Sequence, residues 1–255
     1  MKKLTLLLLA LLYVTLTYAY TERDLLQKQA DINRLKEILV LDRQWVTYPD
    51  YNDRAGWDRF LGTFKDEYIR RGEKRLNYQW QVVKATDYLA FERTGNRQIM
   101  EKPFGANNGA IADLLMAELA EGKGRFVDQL INGVFNACEM TSWALAAHII
   151  VQPSHRALPA YDYPVIDLTS GDLGGLLAWT YHFMRPSFDK VDPEISRRLR
   201  HELQTRILDP YMNNDSFWWM GRNYNGRMLN NWNPWCNSNA LMCFCLLYTS
   251  PSPRD

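Results

Sequence analysis

Residues 192–207, DPEISRRLRHELQTRI, carry the clearest helix signal of the chain. Asp192 is a typical helix N-cap, and Pro193 suits the first helical position because the missing N–H would be unpaired there anyway. Apolar side chains then recur every four residues, which is the spacing of one helix face. They are Ile195, Leu199, Leu203 and Ile207. The basic residues between them indicate a solvated outer face rather than a ligand-binding patch.

Similar patterns, separated by short turns, extend over most of the chain. The predicted helices cover residues 22–41, 53–71, 76–91, 110–119, 126–151, 171–184 and 237–247. Loops are predicted at 105–109 and 212–226, and Arg185-Pro186 is predicted to end a helix. Residues 165–170 are a candidate for a short extended segment, but no region shows convincing strand alternation. The chain is therefore predicted to be all-α, either an irregular bundle or a ring of helical hairpins.

The N-terminus has the order of features found in secretory signal peptides. Lys2 and Lys3 precede a nearly unbroken apolar run from Leu4 to Leu16, and Ala19 supplies a small residue at the expected cleavage position. The run is too short for a comfortable membrane span, so residues 1–19 are predicted to be a cleaved signal peptide, with an uncleaved anchor as the alternative. The mature chain is then expected in the periplasm or outside the cell, without a membrane span.

The overall charge argues against a protein that binds nucleic acid. The 255 residues carry a formal net charge of +1, which becomes −1 once residues 1–19 and their two lysines are removed. Nucleic-acid-binding domains usually show a strong basic excess. Any acidic ligand must therefore be held by local groups. Hydrophobic residues make up 47% of the chain, enough for a sizeable core.

The cysteines and histidines indicate no metal site, and no cofactor is predicted. The cysteines are Cys138, Cys236, Cys243 and Cys245. Their spacing with each other and with the scattered histidines is not that of a zinc site. Export permits disulfides, but buried free thiols in a helical core are the favoured interpretation. Each histidine taken alone favours a structural role, and His182, in the aromatic cluster WTYH, is the first to test for function.

The segment FWWMGRNYNGRMLNNWNPW at residues 217–235 combines aromatic rings with amides. Six of its nineteen residues are aromatic and five are Asn. Buried segments seldom carry so many amides, because each amide needs hydrogen-bond partners. Sugars suit this mixture, since their C–H faces lie on aromatic rings and their hydroxyls pair with amides. The segment predicts a carbohydrate-binding cleft, with a hydrogen-bonded loop that closes the end of the domain as the alternative.

A second candidate segment is NACEMTSW at residues 136–143, inside a strongly apolar predicted helix. Glu139 is flanked by Phe135 and Trp143, so a poorly solvated carboxyl with a dedicated partner is expected. Such a carboxyl can act as a general acid or base, or bind a sugar hydroxyl. The alternative is a structural Glu paired with an Arg or with backbone amides.

Residues 136–148 (NACEMTSWALAAH) and 230–237 (NNWNPWCN) resemble the heparinase II/III-like polysaccharide lyases. The similarity covers most of the mature chain, and the Asn-Asn-Trp-Asn motif is fairly specific. The resemblance implies an N-terminal α/α toroid followed by a β-sandwich domain. Residues 20–247 are accordingly expected to form an incomplete α/α toroid built of helical hairpins. Residues 248–255 (YTSPSPRD) follow an uncapped apolar helix and are expected to be a non-native tail, so the chain is expected to be a fragment.

The resemblance also implies β-elimination on a uronic acid-containing polysaccharide, which would be the acidic partner. The enzyme must neutralise the substrate's carboxylate, remove the C5 proton and protonate the leaving oxygen. Asn231 matches the Asn that neutralises the carboxylate in the family, whereas Trp232 stands where relatives can carry His. The family's catalytic Tyr and His would lie beyond residue 255, so little or no activity is expected from this chain.

The predicted site combines both lines of argument. Asn231 and Glu139 are the predicted catalytic residues. The residues predicted to line the substrate cleft are Asn230, Trp232, Asn233, Trp235, Arg222 and Trp219. The rival hypothesis is a glycoside hydrolase, or a binding protein without catalysis, on the same ring of helices. A hydrolase needs two opposed carboxylates, and only Asp167 and Asp215 join Glu139 as weak candidates.

Overall fold

The computed structural model describes residues 46–221 and 230–248, together with Lys28, Asp31, Asn33, Arg34 and Glu37. Within these residues every regular element is helical and none is a strand, so the chain is all-α, as predicted. The ring arrangement of hairpins stays a prediction. The predicted signal peptide and residues 249–255 of the predicted tail lie outside the described residues, whereas Tyr248 is the last residue of a helix.

The helices are short in the N-terminal part and longer in the middle of the chain. In chain order they are α1 (Arg54–Leu61), α2 (Lys65–Glu73), α3 (Ala85–Thr94), α4 (Gln98–Glu121), α5 (Val127–Glu139), α6 (Leu168–Val191), α7 (Pro193–Leu203), α8 (Asp209–Asn213) and α9 (Trp232–Tyr248). Short 3-10 helices cover Gly62–Phe64, Ala146–Val151 and Trp218–Met220, and a π-helical turn covers Gln204–Leu208.

Helix α7 begins as its sequence predicts. The side chain of Asp192 accepts a hydrogen bond from the first turn, where Pro193 lies. Its outer side is less solvated than predicted, because Arg198 of α7 and Arg206 of the following π-helical turn both pair with the buried carboxylate of Glu202. These basic residues therefore belong to an internal ion-pair network as well as to the surface.

The predicted loop at 105–109 lies instead in the middle of helix α4. Asn107 is buried there, and its carboxamide donates to the carbonyl of Gln81 at 2.8 Å and to the Asn136 side chain at 3.0 Å. These bonds hold the segment before α3 against α4, and residues 76–84, predicted as helix, are not helical. An amide that supplies tertiary hydrogen bonds can occupy a helix interior despite its preference for turns.

Helix α6 continues past Pro186, where the sequence predicts an end. Proline inside a helix removes a backbone hydrogen bond and costs about 3 kcal/mol. Met184 and Phe188, two residues to either side, are completely buried. Burying such side chains contributes roughly 1.5–3 kcal/mol each, which offsets the proline.

The predicted helix over 126–151 is interrupted after Glu139. Met140 adopts an extended backbone conformation, with φ −69° and ψ 139°. The indole N–H of Trp143 then donates to the carbonyl of Ala137 at 2.9 Å and folds the following segment back over the end of α5. Because of this break, Glu139 lies at the end of α5 and residues 140–143 lie outside the helix.

One hydrophobic core joins these helices. Helix α4 packs against α2 and α5, and α6 packs against both α7 and α9. Across 46–221 and 230–248, no helix has both the length and the apolar character that crossing a bilayer requires.

Candidate functional site

The chain enters helix α9 through an exposed pair of asparagines. The side-chain oxygen of Asn230 accepts the backbone N–H of Trp232 at 3.0 Å and so caps the start of the helix. The Asn231 side chain is exposed and forms no hydrogen bond with any residue that the structure describes. Helix α9 has 17 residues, and the N–H groups at a helix N-terminus attract anions. The Asn231 amide is thus available to a carboxylate.

Tryptophan rings surround this helix start. The rings of Trp218 and Trp232 lie 5.2 Å apart between centroids. Trp218 and Trp235 are each 43% exposed, and the indole N–H of Trp235 donates to Asp172 at 2.6 Å. Exposed rings beside free amides suit the C–H faces and hydroxyls of a sugar. The Asn/Trp cluster is defined here as Trp218, Asn230, Asn231, Trp232 and Trp235.

Trp219 and Asn233, two predicted cleft residues, hold the loop together instead. Trp219 is completely buried, and its indole N–H donates to the carbonyl of Ile166 at 2.9 Å. The Asn233 amide donates to the carbonyls of Trp219 at 2.7 Å and Met220 at 3.2 Å. Trp219 therefore cannot lie against a sugar, which corrects that prediction. Arg222, the other predicted cleft residue, lies outside the described residues.

A histidine that the sequence did not single out lies directly against the Asn/Trp cluster. The ring of His148, in the 3-10 helix Ala146–Val151, meets the ring of Trp232 edge-on, with 4.7 Å between centroids. Its Nδ1 lies 2.5 Å from the Oδ2 of Asp167. Asp167 is the N-cap of α6 and its side chain is fully buried, whereas the His148 side chain is 13% exposed. The pair joins the start of α6 to the start of α9.

The Asp167 carboxylate is saturated with donors. It accepts hydrogen bonds from the backbone N–H groups of Leu145 at 2.9 Å and Ser170 at 2.7 Å, and from the Thr169 hydroxyl at 3.0 Å. Burial alone would raise the pKa of Asp167, but the hydrogen bonds from His148 and the backbone outweigh it and hold that pKa below its usual value.

The ionised state of Asp167 decides which nitrogen of His148 carries a hydrogen. A carboxylate only accepts hydrogen bonds, so Nδ1 of His148 is the donor. The other ring nitrogen, Nε2, forms no hydrogen bond with any residue that the structure describes. In neutral His148 this Nε2 is therefore an available base beside the Trp232 ring.

Glu139 lies in a different environment from the one predicted. Its side chain is 67% exposed and its Oε1 is 3.3 Å from Nη1 of Arg198, so the expectation of a poorly solvated carboxyl is wrong. The reason is the end of α5, which leaves Glu139 at the surface. Together with Asn136 and Gln81 it lines a cleft of about 370 Å³ that includes no residue of the Asn/Trp cluster. The alternative of a Glu paired with an Arg describes it better.

Two other kinds of candidate are the possible metal ligands and His182. Among the described residues there is no group of three or more His, Cys, Asp or Glu side chains arranged for a metal ion. His182 is half-buried on α6 against Trp179 and Phe183. Burial lowers the pKa of His182, with Asp50 acting in the opposite direction. Its ring contacts suit a structural role.

Sequence comparison does not place this site in a family. No protein-family model matches the chain, and no curated protein matches it significantly. The described site is thus an Asn/Trp cluster at the start of one helix, joined through Trp232 to the partly exposed His148, which pairs with the buried Asp167.

Proposed function

We propose that the protein is an exported polysaccharide lyase that cleaves a uronic acid-containing polysaccharide by β-elimination, with Asn231 neutralising the substrate's carboxylate. One observation carries the proposal. The Asn231 carboxamide is exposed, has no hydrogen bond to a described residue, and lies at the start of α9 beside the exposed rings of Trp218 and Trp235. The resemblance of the Asn-Asn-Trp-Asn motif to the heparinase II/III-like lyases supports the same conclusion.

The chemistry explains why a neutral amide suits this position. The C5 proton of a uronate lies next to the carboxylate and is only weakly acidic. Removing it places negative charge on the carboxylate oxygens, so donors directed at those oxygens stabilise the transition state. The Asn231 amide and the N-terminus of α9 are such donors, while the tryptophan rings position the sugar.

Binding experiments test the proposal directly. The probes are oligosaccharides of heparan sulfate, chondroitin sulfate and alginate, each paired with its carboxyl-reduced counterpart. We expect at least one acidic oligosaccharide to bind by calorimetry, and its reduced counterpart to bind about 10- to 100-fold more weakly, as expected for losing a hydrogen bond to a charged group.

Substitution of Asn231 sharpens that test. Asn231→Ala should weaken binding of the acidic oligosaccharide by a similar factor. Asn231→Asp should weaken it further, because the new carboxylate repels that of the sugar. Asn77 is also exposed and forms no side-chain hydrogen bond with a described residue, so Asn77→Ala is the matched control. The proposal would be contradicted if the acidic and reduced sugars bound equally well. It would also be contradicted if Asn231→Ala and Asn77→Ala lost the same affinity for the acidic sugar.

The hydrolase alternative has weaker support. Asp167 is fully buried with its oxygens occupied, and Glu139 is exposed and ion-paired, so these two do not form the opposed pair that hydrolysis needs. If the chain hydrolyses a glycoside, and Glu139→Gln abolishes that hydrolysis while Asn231→Ala does not, the lyase proposal falls.

A further inference from the structure

We infer that His148 is the proton-transfer residue of this site, with Nε2 as the base and Asp167 as the residue that positions its ring. The inference rests on the proposed function, because it concerns the C5 proton of a uronate bound at Asn231. The site needs a residue that accepts this proton. The Asn231 amide can neutralise a carboxylate, but it cannot accept a proton.

The position of His148 follows from two independent contacts. Its ring packs edge-on against Trp232, the residue next to Asn231, with 4.7 Å between centroids. The 2.5 Å hydrogen bond from Nδ1 to Asp167 fixes the rotation of the ring. The imidazole is therefore held at the Asn/Trp cluster, although it lies more than 80 residues earlier in the chain.

The Asp167 contact also determines the chemistry of the ring. A buried carboxylate that accepts the Nδ1 hydrogen keeps Nε2 unprotonated in the neutral form, and it stabilises the imidazolium that forms when Nε2 takes a proton. Asp167 remains ionised because Leu145, Thr169 and Ser170 also donate to it. A histidine without a carboxylate partner would lack both effects.

The reaction balances with one histidine. Nε2 of His148 takes the C5 proton, and the C5–H electron pair becomes the C4–C5 double bond. The C4–O bond breaks with its electron pair on the leaving oxygen. The imidazolium then returns the proton to that oxygen, which leaves His148 neutral and yields an unsaturated uronate and a free hydroxyl. No oxidant, reductant or further reactant is consumed.

The proton-removal half of this sequence can be measured without bond cleavage. The full chain is incubated in D₂O with whichever heparan sulfate, chondroitin sulfate or alginate oligosaccharide it binds, and deuterium at C5 of the uncleaved sugar is measured by mass spectrometry. We expect the wild type to catalyse exchange. His148→Gln should reduce the exchange rate by at least about 100-fold, the usual contribution of a general base, while sugar binding changes little.

Two further variants distinguish a catalytic role of His148 from a purely structural one. Asp167→Asn should slow exchange and leave sugar binding intact, provided circular dichroism shows a folded chain. In His148→Gly, added imidazole should restore part of the exchange, which a purely structural role for His148 would not allow. His201→Gln is the matched control, since His201 is exposed on α7, and it should exchange at the wild-type rate.

The outcomes distinguish this inference from the proposed function. If the wild type binds an acidic oligosaccharide through Asn231 without C5 exchange, or if His148→Gln exchanges as fast as the wild type, His148 is not the base and the proposed function still stands. If no acidic oligosaccharide binds, both fall together.

Discussion

Asp167 accepts hydrogen bonds from several side chains, His148 and Thr169 among them, and from two backbone N–H groups, while its own side chain is completely buried. Replacing it with Asn keeps the size of the side chain but turns one acceptor into a donor, which then faces other donors. We expect Asp167→Asn to lower the free energy of unfolding by about 3 kcal/mol at pH 7, the upper end of the usual cost of losing hydrogen bonds to a buried charged group. Urea unfolding measures this, and the exposed Asp162→Asn should stay within about 0.5 kcal/mol of the wild type.

The ionisation of Asp167 should also make the stability of the fold depend on pH. Hydrogen bonds hold the folded-state pKa of Asp167 below its usual value, and an unfolded Asp titrates near about 3.9. A lowered folded-state pKa gives stability that is complete above the unfolded value and is lost as the pH falls through the folded value. The stability difference between wild type and Asp167→Asn should therefore shrink as the pH falls below about pH 4. A difference that grew in acid would contradict the assignment of an ionised Asp167.

Glycines in two helices provide a matched test of how the elements pack. Gly133 is buried in α5, where an added Cβ would meet the Trp80 ring and lie 2.8 Å from Ile111 on α4. Gly109, in α4, is exposed, and an added Cβ there meets nothing within 4 Å. Helix propensity alone predicts that Ala stabilises both positions by roughly 1 kcal/mol.

Packing should reverse the sign of the stability change at Gly133 but not at Gly109. We expect Gly133→Ala to destabilise the protein by about 1–3 kcal/mol through overpacking, and Gly109→Ala to stabilise it by roughly 0.5–1 kcal/mol. Denaturant unfolding of both variants measures the difference. Stabilisation by Gly133→Ala would mean that α4 and α5 are not packed as closely as described.

Local signals predicted the elements whose structure depends on local contacts. Asp192 and Pro193 predicted the start of α7 because the cap and the proline act within one turn. The middle of α4 was missed because Asn107 forms its hydrogen bonds with residues 26 and 29 positions away. A single sequence contains the turn preference of Gly and Asn but not those distant partners.

Contacts between residues that are distant in the sequence also limited the prediction of the site. The Asn-Asn-Trp motif predicted a ligand-facing amide at Asn231 from composition and resemblance. It did not predict that Asn231 lies at a helix start, because the helix was expected to begin at residue 237 and begins at Trp232 instead. The His148–Asp167 pair was missed, since its members are 19 residues apart on different elements. Asp167 followed by Ser170 does suggest a helix cap, and that is the one local signal near the pair.

At the scale of the whole molecule, one hydrophobic core includes residues from α4 and α5 as well as from α6 and α9. A continuous core favours cooperative unfolding, whereas separate cores would open independently. Two cysteines report on different helices of this core, because Cys138 lies in α5 and Cys243 lies in α9. Both are free and buried, as the sequence predicts, and Cys245 is partly exposed.

Cysteine alkylation therefore tests whether the chain unfolds as one unit. Burial raises the pKa of both Cys138 and Cys243 to about 12, so neither thiolate forms at neutral pH until water reaches it. With iodoacetamide and mass spectrometry across a urea series, we expect Cys138 and Cys243 to be protected to the same urea concentration, and Cys245 to react earlier. Labelling of Cys243 at clearly lower urea than Cys138 would show that α9 detaches from α6 first. The Asn/Trp cluster would then be carried by an element that opens independently of the rest of the core.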